Sequence, residues 1–168
     1  MANQIEIERK YVIKMPDLDL IEKIEGYSVS RIVQIYLESE KGVTHRVRKR
    51  TFSDREIYTE TKKIRIDSVS AHEDENEISA ARFAELSAKM KAGTRPVIKS
   101  RHTFPFCGVT IEIDVYPDWK RSAIMETELG SRDQDVAFPD FLEIVSEVSG
   151  DGRYSNAAMA QRFPDELI

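Results

Sequence analysis

The stretch Ile5-Glu6-Ile7-Glu8-Arg9-Lys10-Tyr11, read as IEIERKY, alternates apolar and charged residues with a period of two. That spacing predicts a β-strand with one apolar and one polar face. The polar face carries formal charge (Glu6, Glu8, Lys10) instead of Ser, Thr or Asn. The same pattern returns along the chain. Gln34–Leu37 gives a short strand with Tyr36, residues 44–50 line up Arg46, Arg48 and Arg50, and residues 56–64 line up Tyr58, Glu60 and Lys62. Glu73, Glu75 and Glu77 alternate before Ile78, and Val97–Thr103 carries Lys99 and Arg101. Val109–Tyr116 sets Glu112 and Asp114 opposite Ile111 and Ile113, and Ile124–Leu129 supplies Glu126 and Glu128.

Helices are expected between these strands. One spans 17–25 behind Pro16, with Asp17 as its cap, and another spans 80–91 between Ser79 and Gly93. A third follows Pro139 through "DFLEIVSEVS" to Gly150, and a short one covers 155–161. Residues 65–72 read as a loop. No repeat or Pro/Gly-rich linker divides the 168 residues, so residues 1–168 are expected to form one α+β domain with a largely antiparallel sheet.

Composition narrows the chemistry. Cys107 is the only cysteine, and His45, His72 and His102 are scattered, so a bound metal would need oxygen ligands. A net charge of −5 argues against a nucleic-acid partner. The absence of an apolar run of about 18 residues and of a secretory leader leads us to expect a cytoplasmic protein with no membrane partner, monomeric or homodimeric.

Each charged face alone fits a solvated sheet surface. Together they are segregated by sign, with acids at 6/8, 73/75/77, 112/114 and 126/128 and bases at 46/48, 62 and 99/101. Like charges repel where strands pair. The alternative is an eight-stranded antiparallel closed β-barrel, flanked by helices, whose charged faces enclose a polar lumen. Buried ions must be paired, hydrated or neutralised by a ligand. Carboxylates suit Mg²⁺ or Mn²⁺, and Arg and Lys suit phosphate. With no GxxxxGK or GxGxxG run among seven dispersed glycines, side chains would have to grip the phosphates. A metal-bound polyphosphate answers both charge sets.

The motif "EIERK" resembles the ExExK signature of the CYTH superfamily, the triphosphate tunnel metalloenzymes. The likeness extends in order through "QIYL", "HRVRKR", "ETKK", "ENE", "IKSR", "IEID", "METE" and the C-terminal "EVSGDGRYSNAAMA". It implies a tunnel that binds triphosphate compounds with divalent metal. It further implies metal ligands at Glu6, Glu8, Glu126 and Glu128, with Glu112 and Asp114 nearby, and phosphate contacts at Lys10, Arg46, Arg48, Lys62, Lys99 and Arg101. Tyr36 would pair with Lys10, making Lys10, Tyr36 and Glu8 the expected catalytic set. Glu75 and Glu77 belong to the "ENE" strand, and Tyr154 and Asn156 would close the tunnel or simply cap a helix. Glu73 departs from the family pattern, which commonly has an arginine there. Short members of this type resemble inorganic triphosphatases acting on tripolyphosphate. Thiamine triphosphatase, nucleoside triphosphatase, adenylate cyclase and a non-catalytic polyphosphate-binding module stay open as alternatives. Trp119 lies in a "PDWKR" turn, and Phe104 and Phe106 read as packing residues, so no base-stacking pocket is evident.

Overall fold

The computed structural model describes residues 3–168; Met1 and Ala2 of the expected domain lie outside the described residues. Nine strands run β1 (Asn3–Lys14), β2 (Ser28–Leu37), β3 (Val43–Thr51), β4 (Glu56–Arg65), β5 (Ser70–Glu77), β6 (Val97–Phe106), β7 (Val109–Val115), β8 (Ser122–Glu128) and β9 (Ile144–Glu147). Every pairing is antiparallel, in the order β5-β4-β3-β2-β6-β7-β8-β1-β9, and β5 also pairs with β1. That extra pairing closes eight strands into the expected barrel.

The length of β1 makes closure work. Along one edge its residues 8–14 pair with β8. Along the other, residues 3–7 pair with β5 and residues 11–13 pair with β9. The seam between β5 and β9 is bridged by the main chain of Val69, whose carbonyl accepts from Glu8 N at 2.9 Å, and by Ser149 Oγ, which accepts from Lys10 N at 2.9 Å. The backbone N–H groups of Glu8 and Lys10 are therefore paired where the charged face of β1 turns inward.

The apolar faces point outward and are covered. Tyr11, Ile13, Ile111, Ile113 and Met125 pack with Ile21 and Leu142. Ile35, Leu37 and Val47 pack under Leu86 and Phe83 of α2 (Ala80–Ser87). A third cluster lies on the inward face at one end of the barrel. There the alternation continues, but charge gives way to Val12, Tyr36, Val97, Tyr116 and Ile124, against Tyr154, Met159 and Ala160 from a 3-10 turn (Gly152–Tyr154) and the last helix, α3 (Asn156–Gln161). This cluster caps that end of the lumen.

Several expectations need correction: the short strand expected at Gln34–Leu37 starts at Ser28, and the helix expected at 80–91 ends at Ser87. The segment after Pro139 forms no helix: Pro139 to Leu142 make a turn, and the β-branched Ile144 and Val145 enter β9, where the free edge of β1 supplies hydrogen bonds that outweigh local helix spacing. The helix expected at 17–25 shrinks to α1 (Leu18–Ile21), capped by Asp17 as expected and stopped before Gly26, whose φ is +83°. The loop expected at 65–72 shortens to residues 66–69, because Arg65 ends β4 and Ser70 already begins β5.

Gly150 has a structural reason to be glycine. Its φ is +79°, and an added Cβ would lie 2.8 Å from Ser68 Cβ in the β4–β5 turn. Gly150→Ala should therefore lower stability by about 2 kcal/mol. Gly152→Ala, where nothing lies within 4 Å, should cost well under half of that. Urea unfolding midpoints at unchanged m-value compare the two.

Candidate active site

The inward faces of the strands surround a cavity of about 400 Å³. Its walls differ in charge because neighbouring strands share a face in register. β3 contributes Arg46, Arg48 and Arg50; opposite them stand Glu6 and Glu8 of β1, Glu126 and Glu128 of β8 and Glu112 of β7. Glu73 and Glu75 of β5 and Lys63 and Arg65 of β4 complete the ring.

The acidic wall places like charges directly across from one another. Glu8 is the register partner of Glu128, and Glu112 that of Glu126. Direct like-charge neighbours destabilise a sheet unless something lies between them. For the second pair that something is Arg101. Its guanidinium bonds Asp114 at 2.7 and 2.8 Å and Glu126 at 3.0 Å, and it also pairs with Glu112. Lys10 reaches Glu126 Oε1 at 3.1 Å and donates to the Tyr154 carbonyl at 3.2 Å. No such cation lies between Glu8 and Glu128 among the described residues.

The titration behaviour follows from this geometry. Burial and the nearby Glu126 raise Glu8 above the usual carboxylate range. Burial also raises Glu112, despite Arg101, and raises Glu128, helped by repulsion from Glu112, Glu6 and Glu8. Glu126 moves the other way: burial opposes its charge, but Lys10, Arg101 and Lys99 outweigh burial and hold it well below its ordinary value. Asp114 is likewise lowered against burial by Arg101 and Lys99. On the basic side, burial and the neighbouring Arg46 and Arg101 lower Arg48 to about 10. Burial lowers Lys99 to about 8; Asp114, bonded at 2.6 Å, opposes this, while repulsion from Arg101 and Arg48 adds to it. For Lys10, burial is outweighed by Glu126 and Glu8, and its pKa is raised.

Most of the expected site residues meet around this cavity: Glu6, Glu8, Lys10, Tyr36, Arg46, Arg48, Glu75, Arg101, Glu112, Glu126, Glu128 and Asn156 line it. Several expectations are corrected. Lys62 points outward with Tyr58 and Glu60, beside His45 and Asp74 in a separate surface cleft of about 520 Å³. Its neighbour Lys63 faces the lumen, paired with Glu6 and 3.5 Å from Glu73. Both faces of β4 are polar, and the outward one is fixed by Tyr58 packing on Phe83 at 5.3 Å. Asp114 and Lys99 do not line the cavity. They lie beneath its wall with side chains fully buried against each other, and Lys99 also contacts Asn156 Oδ1 at 3.4 Å. Glu77 stands on the inward register but outside the cavity lining. Tyr154 is buried in the apolar cap against Trp119, with ring centroids 6.4 Å apart. Lys10 and Tyr36 share the cavity but make no hydrogen bond to each other among those described; Tyr36 is engaged by Gln34. Arg50, Lys63 and Arg65 also line the cavity, and Gln34 is buried behind Arg48, four positions outside the site set that the resemblance implies. Arg50 shares the face of Arg46 and Arg48 in the alternation, whereas the phase of β4 hides Lys63 and Arg65.

The fit to a divalent cation rests on donor chemistry. Glu8 and Glu128 are opposed carboxylates without a cationic partner between them, and Glu6 is one inward step away. Among the described residues no three such groups already converge at ligand distance, so a cation would draw these side chains together. No described helix is long and apolar enough to cross a membrane.

No family model and no curated protein matches this chain. Solved structures do. The inorganic triphosphatase NE1496 is 26% identical, with a TM-score of 0.60 over 95% of this chain and 97% of that one. The PH1819 protein from Pyrococcus horikoshii OT3 is 21% identical, with a TM-score of 0.59 over 76% and 80% of the two chains. A Bacillus halodurans protein provisionally assigned as an adenylate cyclase is 18% identical, with a TM-score of 0.52 over 79% and 84%. These last two share the fold alone.

The opposed carboxylates make a pH prediction. A carboxylate whose folded pKa is raised stabilises the fold when protonated; that contribution is complete below the unfolded value near 4.5 and is lost as pH rises through the folded pKa. In EDTA, the melting temperature should therefore rise as pH is lowered from 8 toward 5. It should fall again in stronger acid, as Glu126 and Asp114 protonate. Adding Mg²⁺ at pH 8 should recover most of the difference, and scanning calorimetry would read it.

Proposed function

The chain has the triphosphate-tunnel fold of the CYTH superfamily, and from that premise we propose that it is a divalent-metal-dependent inorganic triphosphatase, hydrolysing tripolyphosphate to pyrophosphate and phosphate. The observation that carries this reading is a single cavity with an acidic wall on β1, β7 and β8 facing a basic wall on β3. Its ligand has to bring negative and positive charge together. Tyr36 is the only aromatic residue among the described lining residues, so the cavity favours an all-phosphate substrate over one with a base to stack. The likeness to NE1496 over nearly the full length of both chains supports the same choice.

In this reading Arg46, Arg48 and Arg50 bind the phosphoryl oxygens by charge-assisted hydrogen bonds and hold the chain of phosphates in line. Lys63 and Arg65 extend that grip along β4. Glu8, Glu128 and Glu6 would hold Mg²⁺ or Mn²⁺, which when bound supplies positive charge against the phosphate oxygens. Glu8 orients the attacking water by accepting its hydrogen. Lys10, held by Glu126 and the Tyr154 carbonyl, places a fixed positive charge where the leaving pyrophosphate becomes more negative. Arg101 braces the acidic wall and, with Lys10, keeps Glu126 ionised.

Malachite-green assays over a substrate panel test the reading. Phosphate should be released from tripolyphosphate with Mg²⁺ or Mn²⁺ and not in EDTA, and Glu8→Gln or Glu128→Gln should lower kcat/KM by about 100-fold. Rapid cyclic AMP formation from ATP with slow tripolyphosphate turnover would instead make the protein a cyclase. Position 62 against 63 gives an internal control. Lys63→Ala should raise KM about tenfold, while Lys62→Ala, on the outer wall, should leave kinetics unchanged.

A further inference from the structure

We propose that Gln34 is a positioning residue that commits the Arg48 guanidinium and the Tyr36 hydroxyl, together, as donors to one anion in the cavity. The proposal rests on the triphosphate reading and specifies how that site holds its substrate. Gln34 is fully buried on the inward face of β2, between Arg48 and Tyr36. Arg48 Nε donates to Gln34 Oε1 at 2.9 Å, and Gln34 Nε2 donates to Tyr36 Oη at 2.8 Å.

The chemistry of the three groups forces this orientation. A guanidinium N–H can only donate, so the amide oxygen has to face Arg48. The amide nitrogen, which has hydrogens and no acceptor capacity, then has to face Tyr36. The phenol oxygen must accept, and its own hydrogen must point away from Gln34. No hydrogen bond donated by the Tyr36 hydroxyl occurs among the described residues, and Tyr36 lines the cavity, so its hydrogen is offered to whatever anion enters.

Arg48 is committed by the same amide. With Nε engaged, its two terminal nitrogens stay available on the cavity side for a pair of phosphate oxygens. One buried amide therefore sets the direction of two donors on adjacent strands. Tyr36 acts in this arrangement as a hydroxyl donor to phosphate, and it does not shuttle a proton to Lys10, whose partners are Glu126 and the Tyr154 carbonyl.

Gln34→Glu separates this from a purely structural role. The new carboxylate still accepts from Arg48 but no longer donates to Tyr36, so the phenol hydrogen turns to it and leaves the lumen. The added charge also repels the anion, and the same substitution made in a Tyr36→Phe background isolates that repulsion. Affinity for tripolyphosphate, by calorimetry in EDTA and again with Ca²⁺, should fall about tenfold more in the native background than in the Tyr36→Phe background. KM should follow, with kcat changing less. Equal losses in the two backgrounds would overturn the proposal. Should Gln34→Glu not fold, Gln34→Met, compared alone and with Arg48→Lys, serves the same cycle: non-additive losses support the clamp and additive losses overturn it. Tripolyphosphate that binds without being hydrolysed overturns the activity while the affinity cycle still decides Gln34. If the native protein binds no tripolyphosphate under either condition, the reading of the cavity and this proposal fall together.

Discussion

The guanidinium of Arg101 is the point on which the barrel depends. Three carboxylates, Glu112, Asp114 and Glu126, converge on it from β7 and β8, and all of them project inward. Without that cation the acidic wall would consist of adjacent anions removed from water, each costing several kcal/mol. With it, Asp114 and Glu126 stay ionised, and Glu126 can hold Lys10 in turn. A buried ion network of this kind is weak evidence for net stability, since apolar residues of the same volume would often do as well. What it provides is a rigid, charged wall, which an apolar filling could not.

The charged face decides what the apolar face must do. Once the lumen is polar, the barrel cannot have its core inside, except at the capped end. The hydrophobic residues therefore turn outward and need cover. Leu142, Ile21 and neighbouring chain supply it over β1, β7 and β8, and α2 supplies it over β2 and β3. The inward cluster around Tyr116, Trp119 and Met159 marks the level at which the strands stop lining a cavity and start packing. Asn156 sits at that boundary. Its side chain accepts from the Tyr116 hydroxyl at 2.9 Å and contacts Lys99 at 3.4 Å, tying the cap to the buried ion network.

Eight of the nine strands were legible because period-two alternation is a strong signal when one face is apolar and the other charged. The same signal does not set its own phase where both faces are polar. In β4 the sequence TETKK allows either Lys62 or Lys63 to face inward, and only the seat of Tyr58 on Phe83 decides it. The strand β9 was hidden for a different reason. Phe141, Leu142, Val145 and Val148 fall at helical spacing, and the edge of β1 that recruits Ile144–Glu147 lies some 130 residues earlier in the chain. The opposition of Glu8 to Glu128, by contrast, follows once the pairing of the first and last barrel strands is assumed. The Gln34 clamp was out of reach, since nothing in the sequence distinguishes a buried amide that bridges two donors from one that faces water.

Glu73 shows how the lumen balances its charge. An arginine at that position would add to the basic set; Glu73 instead shares Lys63 with Glu6. Among the described residues the cavity is then lined by eight acidic and seven basic side chains, close to neutral as a whole and polarised from wall to wall. Near-neutrality lets the ligand-free barrel stand, because its ions find partners or water. Polarisation means that a polyvalent anion entering alone would satisfy the basic wall and deepen the excess of negative charge along the acidic one. A cation entering with it relieves the opposed carboxylates of Glu8 and Glu128 at the same time. Anion and cation should therefore bind with positive coupling, each raising the affinity of the other, because both act on one charge balance.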